Sequence, residues 1–355
     1  MSETGTSPFS PGAFGEAVPH REEIIRLLGL SEAEARETLF PAADAAREAG
    51  VGDEIFLRGI IEFSNVCVQE CLYCGLRRSN AQLRRYRMQE EEILSAARRV
   101  RDEGIGTVVL QSGEDPYFTP DRLCSLLKRV KEETDLAITL SIGERTREEY
   151  RVFRESGADR YLLKFETASE QLYRRLRPGR RLHDRLRCLT DLRELGYEVG
   201  TGNIVGLPDQ SPQALADDLL LMKGLDADML GIGPFLPHPQ TPLSAAPAGD
   251  LFMTLKVLAV ARLMMKTANL PATTALGVLD AEGRTRALEG GANVVMPDFT
   301  PPLYRRHYEI YPGREKAMDL TAFLRRLQDD IQRRHRRIGR GSGGRKRTKT
   351  GVEFL

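Results

Sequence analysis

The chain has 355 residues, enough for one large barrel or two ordinary domains. Hydrophobic residues make up 41% and charged residues 29%, the balance of a globular protein with a sizeable core, and no apolar run approaches the roughly 18 residues a membrane helix needs. The 52 Lys and Arg nearly cancel the 51 Asp and Glu, so the net charge of +1 gives no global case for nucleic acid or membrane.

Residues 1–18, rich in Ser, Gly and Pro, read as a loose N-terminal arm. Residues 19–57 read as a helical extension: Ser31 and Glu34 form a capping box, and Leu39, Ala42 and Ala46 recur at helical spacing. Strands and helices then alternate. Short apolar runs at 58–64, 107–112, 136–142, 160–166, 198–205, 229–233, 272–277 and 293–297 predict strands buried on both faces. The stretches between them read as helices, several ending in glycine. Eight such units predict a complete (β/α)8 TIM barrel over 58–333, with a doubly wound open sheet as the alternative. Residues 334–355, dense in Arg and Lys around a Gly-Ser hinge, read as a basic, disordered tail. Such a tail can touch nucleic acid or an acidic partner, or simply solubilise the chain.

The first predicted strand runs into the most informative stretch, IIEFSNVCVQECLYCG at 60–75. Cys67, Cys71 and Cys74 have the spacing C-x3-C-x2-C, and a short loop can aim three thiolates at one metal centre. Iron–sulfur clusters are normally held by four cysteines; three leave one iron with an open position, where chemistry can happen. A structural zinc knot is the alternative, but it ordinarily shows paired C-x2-C units or a nearby fourth ligand, and the next histidine is His183. The chain has only 5 Cys and no apolar leader, so a reducing, cytoplasmic setting without disulfides is expected. Cys124 and Cys188 fall in helical patterns and read as small buried hydrophobes, which leaves one cluster.

C-x3-C-x2-C closing a strand, with Tyr73 just before the last cysteine, resembles the radical S-adenosylmethionine (SAM) superfamily. The resemblance implies that the open iron chelates the amino and carboxylate groups of SAM. Reduction then cleaves SAM to methionine and a 5′-deoxyadenosyl radical, with Tyr73 against the adenine. In a barrel the site lies at the carboxyl ends of the strands. There Ser112-Gly113-Glu114 stands where the superfamily carries a turn for the methionine amino group. Glu166, in YLLKFET, is a candidate ligand; its structural alternative is an ion pair with Lys164, two residues away on the same strand face, or with an arginine. Arg185 is a natural partner for a carboxylate, or else one charge of a solvated helix face. His238 and the pair Tyr308 and Tyr311 stand at the expected mouth, where each has either a site role or ordinary packing.

From about Arg58 to Arg314 the chain resembles one group, the [FeFe]-hydrogenase H-cluster maturases of the HydE type. The resemblance rests on IIEFSNVCVQECLYCGLRRSN, RYRMQEEEI, VVLQSGEDPYF, DRYLLKFETA, LRPGRRLHDRLRCL, GNIVGLPDQ, GIGPFLPHPQTPL, PATTALG and NVVMPDFTPPLYRRHYEIYPG. It implies that Cys67, Cys71 and Cys74 hold one [4Fe–4S] cluster, and that Tyr73, Gln111, Glu166, Arg185, Ile204 and Leu236 line SAM. It further implies a substrate cavity lined by Thr139, Met229, Thr273, Thr274, Ala275, Met296, Tyr308 and Tyr311. The implied substrate is an organometallic iron complex bearing cysteine, carbon monoxide and cyanide, on the way to the diiron subcluster. The implied partners are a precursor-delivering radical SAM maturase and a GTPase scaffold maturase; charge and hydropathy, separately, give no case for a membrane or nucleic-acid partner. Some members of the group carry three extra C-terminal cysteines, which this chain lacks. Two other readings stay open. One is another enzyme of the biotin-synthase group, a carbon-skeleton mutase or a sulfur-inserting enzyme, although the barrel strands carry no cysteines for a sacrificial cluster. The other is a non-enzymatic iron–sulfur or zinc scaffold.

Overall fold

The computed structural model of the chain describes residues 19–313 and 319–345; the arm expected at 1–18 lies outside them. The apolar runs form strands β1 (Glu54–Leu57), β2 (Gly59–Ser64), β3 (Thr107–Ser112), β4 (Ala137–Ser141), β5 (Ala158–Leu162) and β6 (Glu198–Thr201). Shorter ones follow: β7 (Ile204–Val205), β8 (Met229–Leu230), β9 (Gly233–Pro234), β10 (Val294–Val295) and β11 (Arg337–Ile338). Six of them make one parallel sheet in the order β2-β3-β4-β5-β6-β8. Helices Glu90–Asp102, Pro120–Thr134, Arg147–Glu155, Leu182–Glu194 and Pro212–Gly224 supply the crossovers that parallel neighbours require. Every residue of β2 is buried, because helices cover the outer face while the inner face looks into the molecule.

Beyond the sheet's edges, single parallel bridges carry the pairing on. Met229 bridges Asn269, Pro271 bridges Val294, and Ile60 bridges Asp298. β10 also pairs with β1. The expected seventh strand at 272–277 is corrected here. The extended backbone lies earlier, with Leu230 N–H donating to Asn269 O and Ala272 N–H donating to Val294 O. From Thr274 the chain is helical, to Leu279. The reason is local: Thr273 takes the extended N-cap conformation, and a short apolar run carries no periodicity that separates strand from helix. The fully helical extension expected at 19–57 is likewise corrected, since it ends in β1.

The tail needs the largest correction. Residues 334–345 are packed, not loose. β11 pairs in parallel with β1, and Arg336 is buried, donating to Leu288 O at 3.0 Å and Ala292 O at 3.1 Å. Gly343 O accepts from Arg58 Nη2 at 3.2 Å and Asn269 Nδ2 at 3.1 Å, and Ser342 O accepts from Thr107 Oγ1 at 2.8 Å. These residues stand at the amino ends of the strands, so the segment straps the floor of the sheet. Glycine makes the approach possible: a Cβ on Gly106 would stand 2.2 Å from Gly341 O. Composition pointed the other way because the strap is held by its backbone and by basic side chains such as Arg336 that reach carbonyls in the body of the fold, not by apolar residues. Residues 346–355 lie outside the described residues. Among the described residues no helix is long and apolar enough to cross a membrane.

Candidate functional site

The cysteine loop leaves β2 at Ser64 and is pinned on several sides. Val68 N–H donates to Glu114 O at 3.1 Å, Leu72 N–H to Leu176 O at 2.9 Å, and Gly75 N–H to Ile310 O at 3.1 Å. The Arg85 guanidinium donates to the carbonyls of Asn65, Leu76 and Arg77 at 2.7, 2.9 and 2.6 Å, so one side chain ties both ends of the loop. Gly113 is needed at the end of β3, where a Cβ would stand 2.3 Å from Val66 O and 2.8 Å from Cys67 Cβ. The loop is thus seated on β3 before any metal is considered.

Under it lies a cavity of about 360 Å³, within the range of small-molecule sites. Cys67, Cys71 and Cys74 all open into it, as do Tyr73, Gln111, Glu166, Arg185, Ile204 and Leu236. Thr139, Met229, Thr273, Thr274, Ala275, Met296, Tyr308 and Tyr311 line the same space. The fold therefore brings together residues spread from 67 to 311. Gln111 Nε2 donates to Tyr308 OH at 3.1 Å, which fastens the segment after β10 to the end of β3.

The cavity wall is under-satisfied. Arg177 Nε, Thr139 Oγ1 and Thr273 Oγ1 are buried without a hydrogen-bond partner. Buried polar atoms are ordinarily paired, so several orphans facing one cavity suit a polar ligand. Burial pushes the Cys67 thiol up to about 11 and raises Cys71. Cys74 is driven up further by burial and by its neighbours Cys71 and Cys67. Arg177, 4% exposed, stays firmly protonated: burial opposes its charge, but Cys71, the tyrosines 73 and 173, and Glu114 outweigh it. Burial also raises the Glu114 carboxyl, opposed by Arg177, whose Nη2 lies 3.8 Å from Glu114 Oε1.

Among the described residues no three His, Cys, Asp or Glu side chains are gathered for a single metal ion. A tetrahedral zinc holds each sulfur at about 2.3 Å, which keeps the sulfurs within about 4 Å of one another. Thiolates of a cubane bind different irons and stand wider apart. Three thiols on one cavity wall, beside a buried cation and unpaired polar atoms, are a donor set that suits a cluster with a polar co-ligand.

Several expectations are refined. Arg185 does not sit on a solvated face. It is buried, with Nε 3.0 Å from Glu144 Oε1 and donating to Tyr173 OH at 3.3 Å. Lys164 Nζ lies 3.2 Å from Glu166 Oε2, so the ion pair offered as the structural alternative exists within the cavity wall itself. His238 stays outside the cavity; it is fully buried, accepts from Gln240 N–H through Nδ1 at 3.1 Å, and packs against Gly75. Cys188 is buried and Cys124 half-buried within their helices. Sequence reasoning did not single out Arg177 or Arg58. The Pro178-Gly179 turn after Arg177 was the available signal; for Arg58, a charge heading a buried strand was the only one.

The family model described as the radical SAM superfamily matches residues 61–222. The [FeFe] hydrogenase maturase subunit HydE of Thermotoga maritima is 49% identical over 328 residues, 92% of this chain and 94% of that protein. The 3-methylornithine synthase of Methanosarcina barkeri is 31% identical, over 86% of this chain and 87% of the relative. The crystal structure of a methylornithine synthase superposes with a TM-score of 0.81 at 27% identity, covering 93% of this chain and 98% of that one. With the three cysteines on one cavity wall and near-half identity along almost the whole length, the chain belongs to the radical SAM superfamily, in the HydE group of hydrogenase maturases.

Proposed function

We propose that this enzyme acts in building the diiron subcluster of the [FeFe]-hydrogenase H-cluster, on an iron precursor bearing cysteine, carbon monoxide and cyanide. The observation that carries the reading is the single cavity that joins the three thiols to both sets of polar residues. Cys67, Cys71 and Cys74 would hold one [4Fe–4S] cluster. A cluster bound there supplies the electron that cleaves SAM to methionine and a 5′-deoxyadenosyl radical. The chain's own residues do the rest. Glu166 and Arg185 offer opposite charges to the ends of SAM, and Tyr73, Ile204 and Leu236 offer apolar surface to its adenine. Gln111, tied to Tyr308, holds the closing segment over the bound ligand. The threonines 139, 273 and 274 present hydroxyls to a small anionic substrate, while Met229, Met296 and Ala275 keep that space apolar and water-poor. Tyr308 and Tyr311 close it.

We read the fold as a complete (β/α)8 barrel. The bridges from Met229 to Asn269, Pro271 to Val294 and Ile60 to Asp298 support closure by the segments beyond the six-stranded sheet. The proposed partners are the other hydrogenase maturation proteins, a precursor-supplying maturase and a GTPase scaffold, in the cytoplasm. The proposal favours maturation over 3-methylornithine synthesis because identity is 49% to the former relative and 31% to the latter. The decisive experiment is genetic. Expression of this chain should restore hydrogenase activity to a strain lacking its own HydE-type maturase, and Cys71→Ser should abolish the rescue. SAM cleavage without rescue would move the reading to another reaction of the superfamily, and absence of both would leave a scaffold.

A further inference from the structure

Glu166 stands in a backbone conformation that needs support. Its φ is +70°, in the left-handed region that a residue with a Cβ adopts only when its surroundings enforce it. Part of the support comes from the neighbouring strand. Glu166 N–H donates to Gly202 O at 3.0 Å, and its carbonyl accepts from Ile204 N–H at 3.0 Å, forming a parallel bridge with Asn203.

The rest comes from behind. Asp218 lies on the helix Pro212–Gly224, fully buried and outside the cavity lining. Its Oδ1 accepts from Ala168 N–H at 2.5 Å, two residues past Glu166. Its Oδ2 accepts from Asn203 Nδ2 at 2.8 Å and from Gln210 Nε2 at 3.3 Å. Gln210 in turn accepts from Gly206 N–H at 2.7 Å and donates to Ile204 O at 2.9 Å. One carboxyl group therefore grips both segments that make the Glu166–Asn203 bridge. Burial pushes that carboxyl up to about 7, held back by the bonds from Ala168, Asn203 and Thr167. A buried carboxyl is costly unless its hydrogen bonds are made, and here they are made to the two segments that set the Glu166 turn.

We propose that Asp218 is a positioning residue for the SAM site: through Ala168 and Asn203 it fixes Glu166 in its left-handed turn and so aims the Glu166 carboxylate into the cavity. The inference rests on the reading of Glu166 as a SAM ligand.

A double-mutant cycle on cluster-loaded protein tests it, with SAM affinity read by equilibrium dialysis and amide exchange at Ala168 read on the metal-free chain. Asp218→Ala should weaken SAM binding about tenfold, one lost charge-assisted contact, and speed exchange at Ala168. In a Glu166→Gln background it should weaken binding hardly further, because the group it positions is already disabled. Asp218→Asn keeps an acceptor for Ala168 and should restore most of the affinity. Should Asp218→Ala not fold, Asn203→Ala cuts the other arm of the clamp and serves in the same cycle. Equal losses of SAM affinity in both backgrounds, or a lower melting temperature with SAM affinity unchanged, would overturn the proposal. If Glu166→Gln alone leaves SAM affinity intact, the reading of Glu166 fails and the inference falls with it. That outcome is distinguishable because Ala168 exchange still reports whether the clamp exists.

Discussion

At the scale of single residues, Glu166 joins a strained backbone and a carboxylate that opens into the cavity. It could have been a structural ion pair with Lys164, and the two side chains do meet at 3.2 Å. The left-handed backbone and the place of the carboxylate in the cavity lining argue for a ligand role beside that ion pair. A charge-assisted hydrogen bond contributes about 1.5–3 kcal/mol, so Glu166→Gln should weaken SAM binding roughly ten- to a hundredfold. A dialysis measurement showing unchanged affinity, with a lowered Tm, would return Glu166 to the salt bridge. Asp218 carries a second expectation, on pH. Its carboxyl is raised to about 7 in the folded protein, mainly by burial and also by Asp217, which itself pairs with Arg21. The folded state thus holds a proton that the unfolded state releases near pH 4. The stability from this group is fully present below that pH and is lost as pH rises through about 7. Asp218→Asn cannot release the proton, so its Tm relative to wild type should climb between pH 5 and pH 8. A difference that is flat over that interval would show that Asp218 is ionised throughout.

At the scale of elements, the cysteine loop and the C-terminal strap show opposite relations between sequence and structure. The loop's chemistry is written in the spacing of Cys67, Cys71 and Cys74. Its seat is not: Arg85 reaches three carbonyls, and Gly113 clears the space. The strap reads as a solubilising tail, yet residues 337–338 add a strand to β1, and the carbonyls of Ser342 and Gly343 satisfy Thr107, Arg58 and Asn269. Cutting the chain after Arg333 removes these bonds beneath the cavity that Arg58 also lines. The cut also removes the Arg336 bonds and the β11 pairing, and the bonds to Thr107, Arg58 and Asn269 alone, at about 1 kcal/mol each, should lower Tm by on the order of 5 °C. A cut after Arg345 spares all three and serves as the control. Calorimetric scans that coincide for the two truncations would show that the strap contributes nothing.

At the scale of the whole molecule, the proposed metal content rests on one cysteine trio opening into the cavity. The remaining cysteines, Cys124 and Cys188, belong to separate helices packed on the outside of the sheet. The proposed single cubane predicts roughly four irons per chain after anaerobic reconstitution. Stable retention of about eight irons, or of zinc instead, would contradict it. Cys71→Ser should leave the chain folded but unable to keep the cluster. Circular dichroism and iron analysis on the same sample separate these two effects.

The sequence by itself determined the alternation of strands and helices from β2 to Leu230, because long crossovers and buried parallel strands leave strong periodic signals. It also determined the cluster loop, because ligand identity and spacing are local properties. From β7 onward the strands are two residues long, and past Leu230 pairing depends on partners far along the chain, so 272–277 could be placed as a strand when it opens a helix. Tertiary structure alone decided that Arg185 is buried, that Arg177 stands beside Cys71, and that His238 backs the loop instead of facing the cavity. It alone decided that Asp218, one of two adjacent aspartates on a helix, faces inward. Burial and direction are set by what packs against a residue, and no spacing in the sequence records that.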